Sequence, residues 1–139
     1  PTTALDVTIQ KQIMDLIDEI KRDFKTTILL ISHDLALVSN YADYVSVMYA
    51  GHIVEEAPAA EFFKKTIHPY SIALINSLPS KNPALKLKTI EGAPPSIKEQ
   101  IAGCKFHPRC EFFKAGVCDA RQPELIEKSI YHFSACLVK

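Results

Sequence analysis

Four cysteines, Cys104, Cys110, Cys118 and Cys136, are the side chains best suited to chemistry, separated by five, seven and seventeen residues. Thiolates in such number serve iron-sulfur clusters or tetrahedral zinc, or oxidise to two disulfides in any of three connectivities. Loops of these lengths are long enough to converge on one centre, and Lys105, Arg109 and Arg121 lie near enough in sequence to offset the anionic charge of an all-thiolate site. Close Cys-x-x-Cys pairs, the mark of the usual zinc knuckle, do not occur. A second candidate is His33, which follows the apolar stretch "TTILLIS" within "LLISHD". If that stretch is a strand, His33 sits at its carboxyl end, where open α/β sheets bind ligands. By itself such a histidine reads as a capping or packing residue. His52, on a hairpin, and His68, at a helix start, read the same way.

The elements that must position these residues follow from periodicity. Ile9, Ile13, Leu16, Ile17, Ile20 and Phe24 fall on one helical stripe, predicting a helix over 7–24 that Asp6 can cap and basic residues close. Residues 26–32 are β-branched and almost continuously apolar, which predicts a parallel strand buried on both faces. A strand after a helix with no strand before it is half of a βαβ unit, so the chain reads as part of a longer one. "DLALVSNYAD" predicts a short helix. Val45, Val47 and Tyr49 alternate before a turn at Ala50-Gly51 and a return strand "HIVEEA", the pattern of an antiparallel hairpin. "PAAEFFKK" and "HPYSIALINSLP" predict helical connector segments, the second with Pro69 at its start, Tyr70, Leu74 and Leu78 on one face, and Pro79 as its stop. Residues 80–100 are rich in Pro and Lys without periodicity and read as a linker to the cysteine-bearing tail.

Composition narrows the function classes. Lys plus Arg and Asp plus Glu number 16 each, leaving no positive field for a nucleic-acid backbone. The longest apolar run falls far short of the ~20 residues of a membrane helix. The N-terminus "PTTALDVT" has neither the basic nor the apolar region of a signal peptide, and no initiator Met.

"PTTALD", then a helix, an apolar stretch and "SHD" resemble the part of ABC-transporter ATPases that runs from just after Walker B, through the D-loop, to the switch histidine. That family's D-loop usually reads Ser-Ala-Leu-Asp; this chain has Thr3, Ala4, Leu5 and Asp6, one hydroxyl residue replacing another. The resemblance implies that Thr3, Ala4, Leu5 and Asp6 lie at the interface of two ATPase subunits, and that His33 contacts the γ-phosphate and helps place the attacking water, a catalytic role. "HPYSIALINSLP", "EGAPPSI", "GCKFHPRCEFFKAGVC", "QPEL" and "HFSAC" resemble the C-terminal extension of ATPase subunits that energise oligopeptide, dipeptide and nickel importers.

On that resemblance the fold class is α/β: residues 1–57 are the C-terminal part of an ABC ATPase domain with a buried parallel strand and a hairpin, 58–80 a helical connector, and 81–139 a Cys-rich extension. ATP and Mg²⁺ are the cofactors of the complete subunit. The partners are a second ATPase subunit, the transmembrane permease subunits and, indirectly, an extracytoplasmic peptide-binding protein, which places the protein peripherally on the cytoplasmic face of the membrane. Because such a protein works where thiols stay reduced, the resemblance favours a [4Fe-4S] cluster on Cys104, Cys110, Cys118 and Cys136 over disulfides, with zinc as the rival. The chain has no G-x-x-x-x-G-K-[ST] loop, Q-loop, signature or Walker B pair, so alone it is expected not to hydrolyse ATP. The competing reading is a stand-alone metal- or cluster-binding interaction module.

Overall fold

A computed structural model describes residues 7–78, 90–96 and 99–139. Thr3, Ala4, Leu5 and Asp6, together with the stop at Pro79, lie outside the described residues. The chain divides into two compact units, Pro1–Ala42 and Asp43–Lys139.

The first unit holds α1 (Val7–Phe24) and α2 (Leu35–Tyr41). The apolar stripe and the basic last turn with Lys21 and Arg22 produce α1 as its periodicity predicts. An Asp18–Arg22 ion pair at 3.0 Å spans one turn of it. Asp34 starts α2: its Oδ1 accepts from the amides of Ala36 at 2.9 Å and Leu37 at 3.1 Å. The Tyr41 hydroxyl donates to Asp15 Oδ1 at 2.8 Å, tying α2 to α1. The buried parallel strand expected over 26–32 is not formed: these residues adopt neither helix nor strand, and Leu29 and Ile31 are 86% and 89% exposed. A strand satisfies its amides and carbonyls only through a neighbour, and among the described residues none pairs with this one. The sheet is wholly antiparallel and belongs to the second unit.

There, β1 (Tyr44–Tyr49) and β2 (His52–Pro58) form the expected hairpin. Its two-residue turn has φ +47° at Ala50 and +79° at Gly51, the paired left-handed conformation whose twist matches that of the strands. The register shifts between Val47, opposite Glu55, and Met48, opposite Ile53, so Val54 is an extra residue in β2. This bulge breaks the alternation and turns both Val54 and Glu55 inward. The helices α3 (Ala59–Lys64) and α4 (Pro69–Asn76) follow, the first burying Phe62 and the second starting at Pro69 as its sequence predicts.

Two strands were not legible in the tail: β3 (Ile126–Ser129) and β4 (His132–Ser134). They complete a sheet of order β1-β2-β4-β3, with Glu55 opposite Ser134 and Glu56 opposite Phe133. Among the described residues no helix is long and apolar enough to cross a membrane.

The Glu55 carboxyl group, fully buried, joins these pieces. Its Oε1 accepts from the Ile67 amide at 2.7 Å and its Oε2 from the His68 amide at 2.9 Å. His132 Nε2 lies 2.7 Å from Oε1. One carboxyl thus holds β2, the entry to α4 and β4 together. His68 is itself buried, and its Nδ1 caps α4 by accepting from the Tyr70 amide at 3.1 Å. Burial pulls its pKa down to about 4, against a smaller opposing effect of the Ala135 backbone, so the imidazole is neutral and keeps that lone pair for the cap. Removing the carboxyl in Glu55→Ala strands a buried amide, a part-buried one and a buried imidazole and is expected to cost about 3–5 kcal/mol. Urea unfolding checks this: a loss under about 1 kcal/mol contradicts the account, the size of an ordinary exposed ion pair.

Candidate metal centre

The structure gathers all four cysteines around one pocket. Cys104, Cys110, Cys118 and Cys136 line it together with Phe106, Pro69, Leu137, Val138 and the two imidazoles of His68 and His107, over about 300 Å³ counting its open mouth. All four are unbridged thiols; Cys118 and Cys136 are buried and Cys104 and Cys110 half-buried.

Each is placed by backbone hydrogen bonds. The Cys104 amide donates to the Cys118 carbonyl at 2.8 Å, drawing the first and third cysteines side by side. That approach is open only to glycine at the preceding position. Gly103 has φ +66°, and a Cβ there would fall 2.4 Å from the Cys118 carbonyl oxygen and 2.8 Å from Asp119 Cα, both backbone atoms. From Cys104 the chain enters a tight turn in which the His107 amide donates to the Cys104 carbonyl at 3.0 Å and the Arg109 amide to the Phe106 carbonyl at 3.0 Å. The 3₁₀ turn His107–Arg109 then ends on Cys110. Cys118 closes a second turn, its amide donating to the Lys114 carbonyl at 2.9 Å. Cys136 follows β4, where the Ala135 amide donates to the Val54 carbonyl at 2.9 Å. Phe106 floors the pocket, its ring 5.2 Å from that of Tyr49 and 5.3 Å from that of Tyr70.

At Cys104 and Cys110 burial disfavours the charged form of the sulfur. Burial raises the Cys104 thiol and pushes Cys110 up to about 11, and the proximity of the other cysteines raises both further. Peptide N–H groups oppose this: those of Phe106 and His107 at Cys104, and that of Phe112 at Cys110. At Cys118 the Lys114 amide approaches Sγ at 3.4 Å. A neutral thiol is a weak acceptor that gains little from such donors, whereas a metal-bound thiolate gains much. Among the described residues, however, no three His, Cys, Asp or Glu side chains are grouped so as to hold a metal ion.

His33 lies in the other compact unit, exposed, directly before the Asp34 cap of α2. Sequence reasoning missed Glu55, His132 and the steric role of Gly103; the signal for the last was a glycine directly preceding a cysteine.

Residues 54–118, from within β2 to Cys118, match the family model described as the oligopeptide/dipeptide transporter, C-terminal region. The chain's likeness to proteins described as ATP-binding proteins of peptide transporters extends over most of its length. It is 44% identical to the "Probable peptide ABC transporter ATP-binding protein" of Sinorhizobium fredii, over 98% of this chain and 41% of that protein. It is 48% identical to the oligopeptide transport ATP-binding protein OppD of Salmonella typhimurium, over 79% of this chain and 33% of that one. It is 41% identical to the dipeptide transport ATP-binding protein DppD of Caldanaerobacter subterraneus, over 91% and 39% respectively. The chain spans well under half the length of each.

Gly103 and Gly116 provide a paired test of the cysteine turn. Both have positive φ, +66° and +72°, but a Cβ at Gly116 meets nothing within 4 Å. Gly116→Ala is expected to cost on the order of 1 kcal/mol from conformation alone, and Gly103→Ala roughly 2 kcal/mol more from the clash. The second variant, not the first, is also expected to expose Cys104 and Cys118 to rapid labelling by a thiol reagent. Equal labelling of the two variants contradicts the geometry.

Proposed function

We propose that this chain is the C-terminal part of the ATP-hydrolysing subunit that energises peptide import through an ABC transporter. The observation that carries this reading is the match of residues 54–118 to the oligopeptide/dipeptide transporter region. Relatives described as peptide, oligopeptide and dipeptide transport ATP-binding proteins support it. In the complete subunit ATP and Mg²⁺ are bound by segments outside this chain, and a second such subunit completes the paired sites. Permease subunits on the cytoplasmic face of the membrane receive the stroke, and an extracytoplasmic peptide-binding protein delivers substrate to them.

Two sets of residues here serve that cycle. Thr3, Ala4, Leu5 and Asp6 form the loop that meets the second subunit. His33 donates to the γ-phosphate and orients the attacking water, acting chiefly on the transition state. Its exposure beside a capped helix start leaves the imidazole accessible to a ligand. In a complete subunit, His33→Ala is expected to lower kcat by about 10² or more with nucleotide affinity largely kept. Steady-state hydrolysis and nucleotide titration together check this, and parallel losses of rate and affinity overturn the role.

At the cysteines, we assign a [4Fe-4S] cluster held by Cys104, Cys110, Cys118 and Cys136, serving as a cross-link. Four unbridged thiols lining one pocket and peptide N–H groups directed at their sulfurs support a thiolate-held centre, and the lack of close Cys-x-x-Cys pairs favours a cluster over the rival zinc. Anaerobically isolated protein is expected to be brown, with broad sulfur-to-iron absorbance near ~400 nm and close to four irons per chain. Colourless protein with stoichiometric zinc overturns the assignment, as do four unligated thiols.

A further inference from the structure

Arg109 stands immediately before Cys110 and spends its whole guanidinium elsewhere. Nε donates to the Glu91 carbonyl at 2.8 Å, and Nη2 to those of Ile90 at 3.2 Å and Gly92 at 2.9 Å. Nη1 donates to the Tyr49 hydroxyl at 3.2 Å. Three consecutive carbonyls, of Ile90, Glu91 and Gly92, and the last residue of β1 are thus held by one side chain. Lysine could not reproduce this, since a single ammonium lacks the rigid planar fork that reaches several acceptors at fixed angles.

The backbone beneath this clamp belongs to the cysteine turn. The His107 amide is bonded to the Cys104 carbonyl, the Arg109 amide to the Phe106 carbonyl, and the Cys110 amide to the His107 carbonyl at 3.2 Å. The stretch from Cys104 to Cys110 is therefore one hydrogen-bonded unit with a cysteine at each end and Arg109 projecting from it. The aromatic contacts follow the same route: Tyr49, which receives Nη1, packs its ring 5.2 Å from that of Phe106 inside the unit and 4.6 Å from that of Tyr70 in α4.

We infer that Arg109 is a positioning residue that couples occupancy of the cysteine centre to the seating of Ile90–Gly92 on the β1–β2 hairpin. This rests on the assignment of a cluster to the four cysteines. A centre that fixes the sulfurs of Cys104 and Cys110 fixes the turn between them, and with it the origin of the guanidinium. When the centre is lost, four thiols in an apolar pocket have nothing to bridge them, the turn loosens, and the carbonyls of Ile90, Glu91 and Gly92 return to water. Linkage makes the effect reciprocal, so releasing the clamp weakens retention of the centre by the same factor.

Glu91 supplies the reporter, because a glutamate-specific protease cuts after it, within the clamped segment. The full chain, isolated anaerobically, is digested briefly before and after iron is removed with a chelator, and cleavage after Glu91 is read by mass spectrometry against cleavage after Glu19 of the other unit. Iron content and absorbance are measured in parallel. Chelation is expected to raise cleavage after Glu91 about tenfold. In Arg109→Lys, cleavage is expected to be high with or without iron, and iron is expected to leave to chelator at correspondingly lower concentration. Tyr49→Phe, which removes one of the four acceptors and keeps the ring packing, is expected to give an intermediate value and guards against a variant that fails to fold. Equal cleavage of wild-type protein with and without iron overturns the inference while leaving the cluster assignment standing, as does an Arg109→Lys protein that keeps the wild-type difference. Protein that never holds iron overturns both.

Discussion

The second unit depends on a carboxyl group placed where strand alternation alone would not put it. The bulge at Val54 turns Glu55 inward, and once buried it must find donors, because an unpaired carboxyl in that position would be too costly to keep. It finds them in the amides of Ile67 and His68, at the entrance to α4, and in His132 on β4. Those bonds bring the wall of the pocket, which includes His68, next to the strand that delivers Cys136. The cysteine-bearing tail is consequently not an appendage. It supplies an inner strand to the sheet and an imidazole to its core, and the pocket lies between the start of α4 and the tail.

Within the pocket two opposed effects are balanced. Burial raises the Cys104 and Cys110 thiols, disfavouring the charged form, while peptide N–H groups favour it.

What was legible in the sequence was local. The stripe from Ile9 to Phe24, the short helix in "DLALVSNYAD", the alternation around Val45 and Val47, the Ala50-Gly51 turn and Pro69 all act within a few residues, and each produced the element it specifies. Residues 26–32 show the converse. Their composition specifies a buried strand, but a strand is a relation between segments, and none of the described residues pairs with this one. Ile126–Ser129 and His132–Ser134 were missed because they are short and carry polar residues where alternation is sought; their stability comes from β4 joining β2 and β3 joining β4. The cysteines could be named from residue type, but their convergence depends on Gly103 meeting a backbone fifteen residues on, and the clamp of Arg109 on carbonyls seventeen to nineteen residues back. Backbone acceptors leave no trace in side-chain identity.

Glu55 and His132 are 77 residues apart, and that separation has a meaning for a chain that is made one residue at a time. The β1–β2 hairpin closes through a two-residue turn and can form as soon as it leaves the ribosome, but its inward carboxyl then has no imidazole to meet. Closing a loop of that length costs roughly 4 kcal/mol of chain entropy beyond a constant, repaid only when β4 and its neighbours dock together. Through the interval in which the connector and the cysteine turns are being synthesised, Glu55 must remain hydrated and the hairpin's second edge open. An edge strand left unpaired for that long is a site at which nascent chains can associate. The charged pair Glu55-Glu56 on that edge, read in this light, keeps the growing polypeptide apart from its neighbours until its own last strand arrives.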